Sequence, residues 1–220
     1  MVDIKIDEKI KKILPDFVLG YIKGEVNTKP SDEGLISEMK NLETEITENM
    51  KIEDIAKNKN IIAGREAYKA LGKSPSKYRT SSEALLRRIV QGKGLYYVNN
   101  IVDINNILSL KTCSSCGSYD LDKINFPIYF SVGEQGETYK GIGKDMINIE
   151  NLPVFRDREG AFGSPTSDSE RGMITEDSKN IVMCVFSFGG EEGVADELKK
   201  AEILLKEYGD LKNYETGIIR

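Results

Sequence analysis

Apolar positions recur along the chain with two periods, which divide it into a helical first half and a strand-rich second half. Val2, Ile4 and Ile6 alternate with polar residues and predict a short first strand. Asp7 follows as a helix cap, and its helix runs to Leu14, where Pro15 ends it. Phe17–Val26 is rich in β-formers and predicts a strand. Leu35, Met39, Leu42, Ile46 and Met50 recur at helical spacing between Ser31 and Met50, opposite largely acidic positions. A further helix is predicted through Ile61–Leu71, closed by Gly72. Thr80 or Ser81 caps the next, Ser82 to Gln91, which stops at Gly92. The run "VNNIVDINNILSL" predicts another.

After Cys116 the texture changes. Short β-rich segments follow at Ile128–Val132, Glu137–Lys140, Met146–Ile149, Leu152–Arg156 and Ile181–Phe188, some of them separated by the turn signals "VGEQGE" and "GIGKD". A final amphipathic helix carries Val194, Leu198, Ala201, Leu205 and Tyr208, and Gly209 ends it. No repeat or long linker separates the two halves. The expectation is therefore one α+β domain over residues 1–220, with early and late strands sharing a core.

Composition narrows the chemistry. The 220 residues carry a formal charge of −5, with an isoelectric point near 5.1. That balance argues against a nonspecific nucleic-acid coat, because such binding depends on Lys and Arg displacing counterions. A local basic patch stays compatible with it. Histidine is absent, which removes the usual general base near neutral pH and the commonest zinc ligand. Cys113 and Cys116 have C-x-x-C spacing, but with only Cys184 besides them and no His, inert thiols are the first reading. A redox pair and a metal site are the alternatives; no cofactor and no metal is expected. No apolar run reaches the length of a membrane span, and the N-terminus has no basic head followed by an apolar run. A cytoplasmic protein without a membrane partner is expected.

Three polar stretches are candidates for chemistry. In "KYRTSSEALLRR" the hydroxyls of Thr80, Ser81 and Ser82 and the guanidinium of Arg79 gather at a helix start, an arrangement that suits a phosphate or carboxylate. Lys77, Arg79, Arg87, Arg88 and Lys93 are opposed there by one acid, Glu83. A capped helix with its arginines paired to acidic neighbours is the competing reading. In "YYVNNIVDINN", Asn99 or Asn100 shares a helix face with Asp103; these either cap and brace the helix or read a ligand. The third stretch, "GSPTSDSERGMIT", packs Ser164, Asp168, Ser169, Glu170 and Arg171 between predicted strands. By default it is a solvated loop. The sharper reading makes it a pocket lining that meets Arg79 in space, with Asp168 or Glu170 as candidate catalytic carboxylates if burial raises the pKa.

The stretches "RTSSEALLRRI", "VNNIVDINNILSLKTCSSCGSYDLDKI" and "FGSPTSDSERGMITEDSKNIVMCVFSF" together resemble the B3/B4 module of the phenylalanyl-tRNA synthetase β subunit. They are closer still to free-standing proteins built from that module. The resemblance runs from about Ala67 to Phe188. It implies an α+β fold with helices flanking a β-sandwich-like core of mixed sheet. It also implies tRNA or aminoacyl-tRNA as partner and trans-editing deacylation as an activity. A small amino-acid-like ligand held without catalysis, Arg79 taking its carboxylate and Asp168 its ammonium, is the alternative. A fold kept without its activity is a third. Asn99, Asn100, Asp103 and Asp120 match the module's pattern. The editing histidine of the synthetase is replaced by Gly117, and its late-strand glutamate by Cys184.

Overall fold

The computed structural model describes residues 3–220. Its elements in chain order are β1 (Ile4–Ile6), α1 (Glu8–Ile13), β2 (Val18–Glu25), α2 (Glu33–Asn49), α3 (Ile52–Ile55), α4 (Lys59–Ala70), α5 (Ser81–Val90), α6 (Asn100–Thr112), β3 (Ser115–Asp120), β4 (Ile128–Val132), β5 (Thr138–Lys140), β6 (Met146–Asn148), β7 (Pro153–Asp157), β8 (Gly160–Gly163), β9 (Asn180–Ser187), α7 (Val194–Gly209) and β10 (Lys212–Ile219), with a 3-10 turn at Glu170–Gly172. The alternation at the N-terminus gives β1 through Ile4 and Ile6; Val2 lies outside the described residues. Asp7 caps α1 by accepting from Lys9 N–H, and Asp32 caps α2 by accepting from Leu35 N–H.

Two four-stranded sheets run β1–β4–β7–β8 and β10–β2–β9–β3, and β5–β6 is a separate hairpin. β1 joins β4 in parallel, while the remaining pairings of both sheets are antiparallel. β9 explains the layering, because its side chains alternate between two cores. Val182, Cys184 and Phe186 point into a core shared with Phe130, Phe155 and Phe162 of the other sheet. Ile181, Met183 and Val185 point the opposite way, into a core with Leu35, Met39, Ile104, Leu108 and Leu205 of the helices. The molecule is thus helix layer on sheet on sheet, an α+β fold with a β-sandwich-like centre and flanking helices.

The sandwich core is held largely by aromatic rings. Phe130 stacks on Phe17 at 4.5 Å, and Tyr119 meets Phe155 and Phe162 edge-on at 5.4 and 5.3 Å. Each buried ring contributes on the order of 2 kcal/mol. On the helix side, a Cβ at Gly20 would come within 2.8 Å of Val194, so α7 packs directly against the backbone of β2. The sequence pattern did not predict α3, β3, β8 or β10. Among the described residues no helix is long and apolar enough to cross a membrane.

Candidate functional site

The segment Gly163–Asp168 is braced from beneath by three buried tyrosines, one each from α4, β3 and β5. Tyr68 shares a 2.6 Å hydrogen bond with Thr166 Oγ1, Tyr139 donates to the Ser167 carbonyl at 2.5 Å, and Tyr119 donates to Asp168 Oδ1 at 2.8 Å. Ser164 shapes the turn itself: its Oγ accepts the N–H groups of Thr166 and Ser167 and donates to the Ser167 carbonyl. The phenol of Tyr119 fits because Gly117 and Gly163 flank it. A Cβ at Gly117 would stand 2.6 Å from the Tyr119 hydroxyl, and one at Gly163 would overlap the ring. The loop is therefore a rigid polar lining.

Asp168 is the chemically distinctive group of this lining. Its Oδ1 also accepts Ser164 N–H at 2.9 Å, so both hydrogen bonds of the carboxylate among the described residues fall on one oxygen. Burial pushes its carboxyl up to about 6, against the opposing pull of Ser164 N–H, the Tyr119 hydroxyl and the charge of Lys144. Tyr119 itself is held well above the usual phenol range, first by burial and then by the charge of Asp168, so it stays a donor. Asp168 lies on the wall of a hollow of about 320 Å³ with Val98, Val102, Asn105, Ser118 and Ile142. Val102 and Asn105 share one face at the start of α6, and Val98 joins them from the segment just before the cap Asn99. The Ser118 hydroxyl donates to Asn105 Oδ1 at 3.1 Å, which orients the amide. The hollow is mainly apolar and carries one acid, one amide and one hydroxyl, a set that suits an amino-acid-like group.

A second hollow, an open groove of about 430 Å³, is lined by Lys77, Arg79, Arg87, Arg88, Lys93 and Lys144, with Thr166 and no acid among the described residues. Beneath it lies Glu83, fully buried. Arg65 binds both Glu83 oxygens, at 3.0 and 2.8 Å, Arg87 Nε donates to Oε1 at 2.7 Å, and Arg79 Nε stands 3.7 Å away. Burial alone would raise the Glu83 carboxyl, yet the hydrogen bonds and charges of Arg65 and Arg87 hold it below its ordinary value. One buried anion beneath three guanidiniums leaves the groove strongly cationic.

The two hollows have no lining residue in common, but three segments contribute to both. Lys93 and Val98, Lys144 and Ile142, and Thr166 and Asp168 are three pairs from three segments, each giving one residue to the groove and one to the apolar hollow. A backbone hydrogen bond from Ser81 N to the Pro165 carbonyl at 2.7 Å fastens the start of α5 to the polar loop. The start of α5 and the polar loop are thus joined through the backbone, while Arg79 lines the groove and Asp168 the apolar hollow; the single common cavity of the sharper sequence reading is not what the lining residues form.

Other candidates lie elsewhere. Asn100 is buried in the frame: its Oδ1 accepts from Lys29 N and Ile101 N, and its Nδ2 donates to the carbonyls of Asn27 and Tyr208. Asp103 accepts from the Ser31 hydroxyl at 2.5 Å and from Val98 N–H, and burial raises its carboxyl. Asn99 caps α6, so the bracing reading holds for this stretch. Ser82 is buried against Ser115, with 3.1 Å between the hydroxyls. Ser81 Oγ is buried with no partner among the described residues. Ser169 caps the 3-10 turn, Glu170 pairs with Lys140 at 3.0 Å, and Arg171 grips both oxygens of Asp157. None of these lines either hollow. Cys113, Cys116 and Cys184 are free and buried. Burial raises all three thiols, Cys116 to about 12, which makes them poor nucleophiles.

Sequence reasoning passed over Asn105, Ser118, Ile142, Lys144 and the three bracing tyrosines. Asn105 had a signal in its spacing from Val98 and Val102; the tyrosines had none, because their convergence depends on tertiary structure alone.

The family model for the B3/4 domain matches residues 63–202. Among solved structures the chain is similar to an N-terminal fragment of the phenylalanyl-tRNA synthetase β-subunit from Pyrococcus horikoshii, with 20% identity and a TM-score of 0.48, over 99% of this chain and 50% of that one. The chain thus spans about half the length of that fragment. No curated protein matches it.

Proposed function

The chain belongs to the B3/4 domain family, and from that premise we propose that it is a tRNA-interacting protein. It holds phosphates of the RNA in the cationic groove and seats the aminoacyl group at the RNA end in the apolar hollow. The observation that carries the reading is that three segments contribute to both hollows, through Lys93 and Val98, Lys144 and Ile142, and Thr166 and Asp168. A ligand that is polyanionic along its length and amino-acid-like at its tip matches both hollows at once. Val98, Val102 and Ile142 pack its side chain, and Asp168 faces its ammonium. Residues 1–220 act as one B3/4-like domain in this reading, and a tRNA partner implies a cytoplasmic location.

As a trans-editing deacylase, the protein uses Asp168 as general base. Hydrogen bonds from Tyr119 and Ser164 fix Oδ1, and Oδ2 takes a proton from water as that water attacks the ester carbonyl carbon. The bond between that carbon and the ribose oxygen breaks, and the ribose oxygen takes up the proton. A base near 6 is largely ionised at neutral pH and still accepts protons usefully. The second reading, binding without hydrolysis, is favoured by Gly117 and Cys184 at the positions of the synthetase's editing groups. Tyr119 fills the space beside Gly117, and Cys184 is buried with its thiol raised by burial.

Both readings predict RNA binding that weakens with salt. If the six groove cations each meet a phosphate, affinity falls with a log–log slope of about −4 for an unpaired strand. Absence of binding to tRNA at low salt sinks the proposal. Incubation with tyrosyl-tRNA for phenylalanine, and with other mischarged tRNAs, separates the readings. Release above a buffer control that is lost in Asp168→Asn supports the deacylase; tight binding without release supports the binding module.

A further inference from the structure

We propose that Tyr96, backed by Arg88, is a stacking platform for an unpaired RNA nucleobase at the passage between the groove and the hollow. The inference rests on the RNA reading above and deepens it by naming what part of the strand is held there. Tyr96 is 65% exposed, unusual for a large aromatic side chain, and its neighbours Tyr97 and Val98 are 44% and 58% exposed. These three consecutive residues form an apolar, ring-bearing ridge on an otherwise charged surface.

The ridge is held rather than loose. Leu95 is buried, and its N–H donates to Glu43 Oε1 at 2.5 Å; Val98 N–H donates to Asp103. Between those anchors the Arg88 guanidinium lies over the Tyr96 ring with 4.0 Å from its central carbon to the ring centre. Arg88 is fixed there by two further bonds, Nε–H to the Gly94 carbonyl at 2.6 Å and Nη2–H to the Lys93 carbonyl at 3.1 Å. The cation covers one side of the ring while much of the ring stays exposed. A guanidinium against one face suits a nucleobase on the other, because bases stack on any flat π surface and the adjacent positive charge attracts their phosphates.

Position selects the occupant. Lys93 and Arg88 line the cationic groove, and Val98 lines the apolar hollow. Tyr96 packs against Arg88 of the groove and precedes Val98 of the hollow by two residues, so in this pose a strand with its phosphates in the groove and its end in the hollow carries a base past Tyr96. The ridge thus fits unpaired RNA and offers nothing to a bare polyanion.

Three probes test this: a short single-stranded oligoribonucleotide, the same strand with abasic sites, and inorganic polyphosphate. Wild-type protein is expected to bind the intact strand more tightly than the abasic one. Tyr96→Ala should weaken the intact strand by about tenfold, leave polyphosphate unchanged and keep the thermal unfolding curve, whereas Tyr96→Phe stays within about twofold. The chain has no tryptophan, so Tyr96→Trp introduces a single reporter whose fluorescence the intact strand quenches and the abasic strand does not. Equal affinity of the wild type for intact and abasic strands, or of Tyr96→Ala and wild type for the intact strand, overturns the platform while leaving the groove reading in place. Failure of the wild type to bind any of the three at low salt overturns both.

Discussion

Replacing Asp168 by Asn isolates the group on which the proposed chemistry depends. Asn is nearly the same size, and its Oδ1 accepts from Tyr119 and Ser164 as the carboxylate does, but it does not ionise. Burial raises the Asp168 carboxyl from an ordinary 3.8 to about 6. Each tenfold change in proton affinity corresponds to about 1.36 kcal/mol, so the folded protein carries up to about 3 kcal/mol of unfavourable ionisation energy at pH 8. Partial access of solvent through the hollow reduces this to about 1–2 kcal/mol. The sign follows from proton binding. Between pH 3.8 and 6 the folded state holds this proton more tightly than the unfolded state, so the group's contribution to stability is present at low pH and is lost as pH rises through 6. Asp168→Asn is therefore expected to be more stable than wild type at pH 8 by about 1–2 kcal/mol, or roughly 2–8 °C in melting temperature for a chain of this size, with the difference closing towards pH 4. Urea unfolding of both proteins at pH 4, 6 and 8 measures it, and the difference cancels the other titrating groups. A gap that is constant with pH, or that widens towards pH 4, refutes the argument that Asp168 ionises at a cost in its native setting.

Two further predictions separate frame from site. Asn100→Ala removes four hydrogen bonds, three of which tie α6 to the backbone at Asn27, Lys29 and Tyr208; it should cost about 3–4 kcal/mol in urea unfolding and leave RNA affinity within twofold, and an affinity loss without a stability loss would return Asn100 to the binding site. Gly163→Ala places a methyl group against the Tyr119 ring; it should cost about 1–3 kcal/mol in wild type and much less in a Tyr119→Leu background, and an equal cost in both would show that the Tyr119 ring is not the obstacle.

What the sequence pattern revealed and what it concealed divide along burial. In the second sheet, β2 and β9 are central, buried on both faces, and were readable as apolar runs. β3 and β10 are the edges of the same sheet. β10 has no buried residue, and β3 reads Ser-Cys-Gly-Ser-Tyr-Asp, so neither carries an alternation strong enough to mark it. β8 is Gly-Ala-Phe-Gly, with a single large apolar side chain in four residues. The site was legible to the same extent and for a related reason. Clustering of charge along the chain survives folding when it falls on one helix and its flanks, so Lys77, Arg79, Arg87, Arg88 and Lys93 reach the groove together. The sixth cation, Lys144, comes from the turn after β5 and had no local signal. In "GSPTSDSERGMIT" the chemistry splits within a few residues: Asp168 turns to the hollow while Arg171, three positions on, turns to Asp157. Composition marks such a stretch as polar but does not sort its two sides, because the sorting is done by groups far away in sequence: Tyr119 holds Asp168 and Asp157 holds Arg171. The site therefore lives in the pairing of the loop with β3, α4 and β5, and the glycines at 117 and 163, which by themselves look like missing side chains, are what let Tyr119 bring that pairing about.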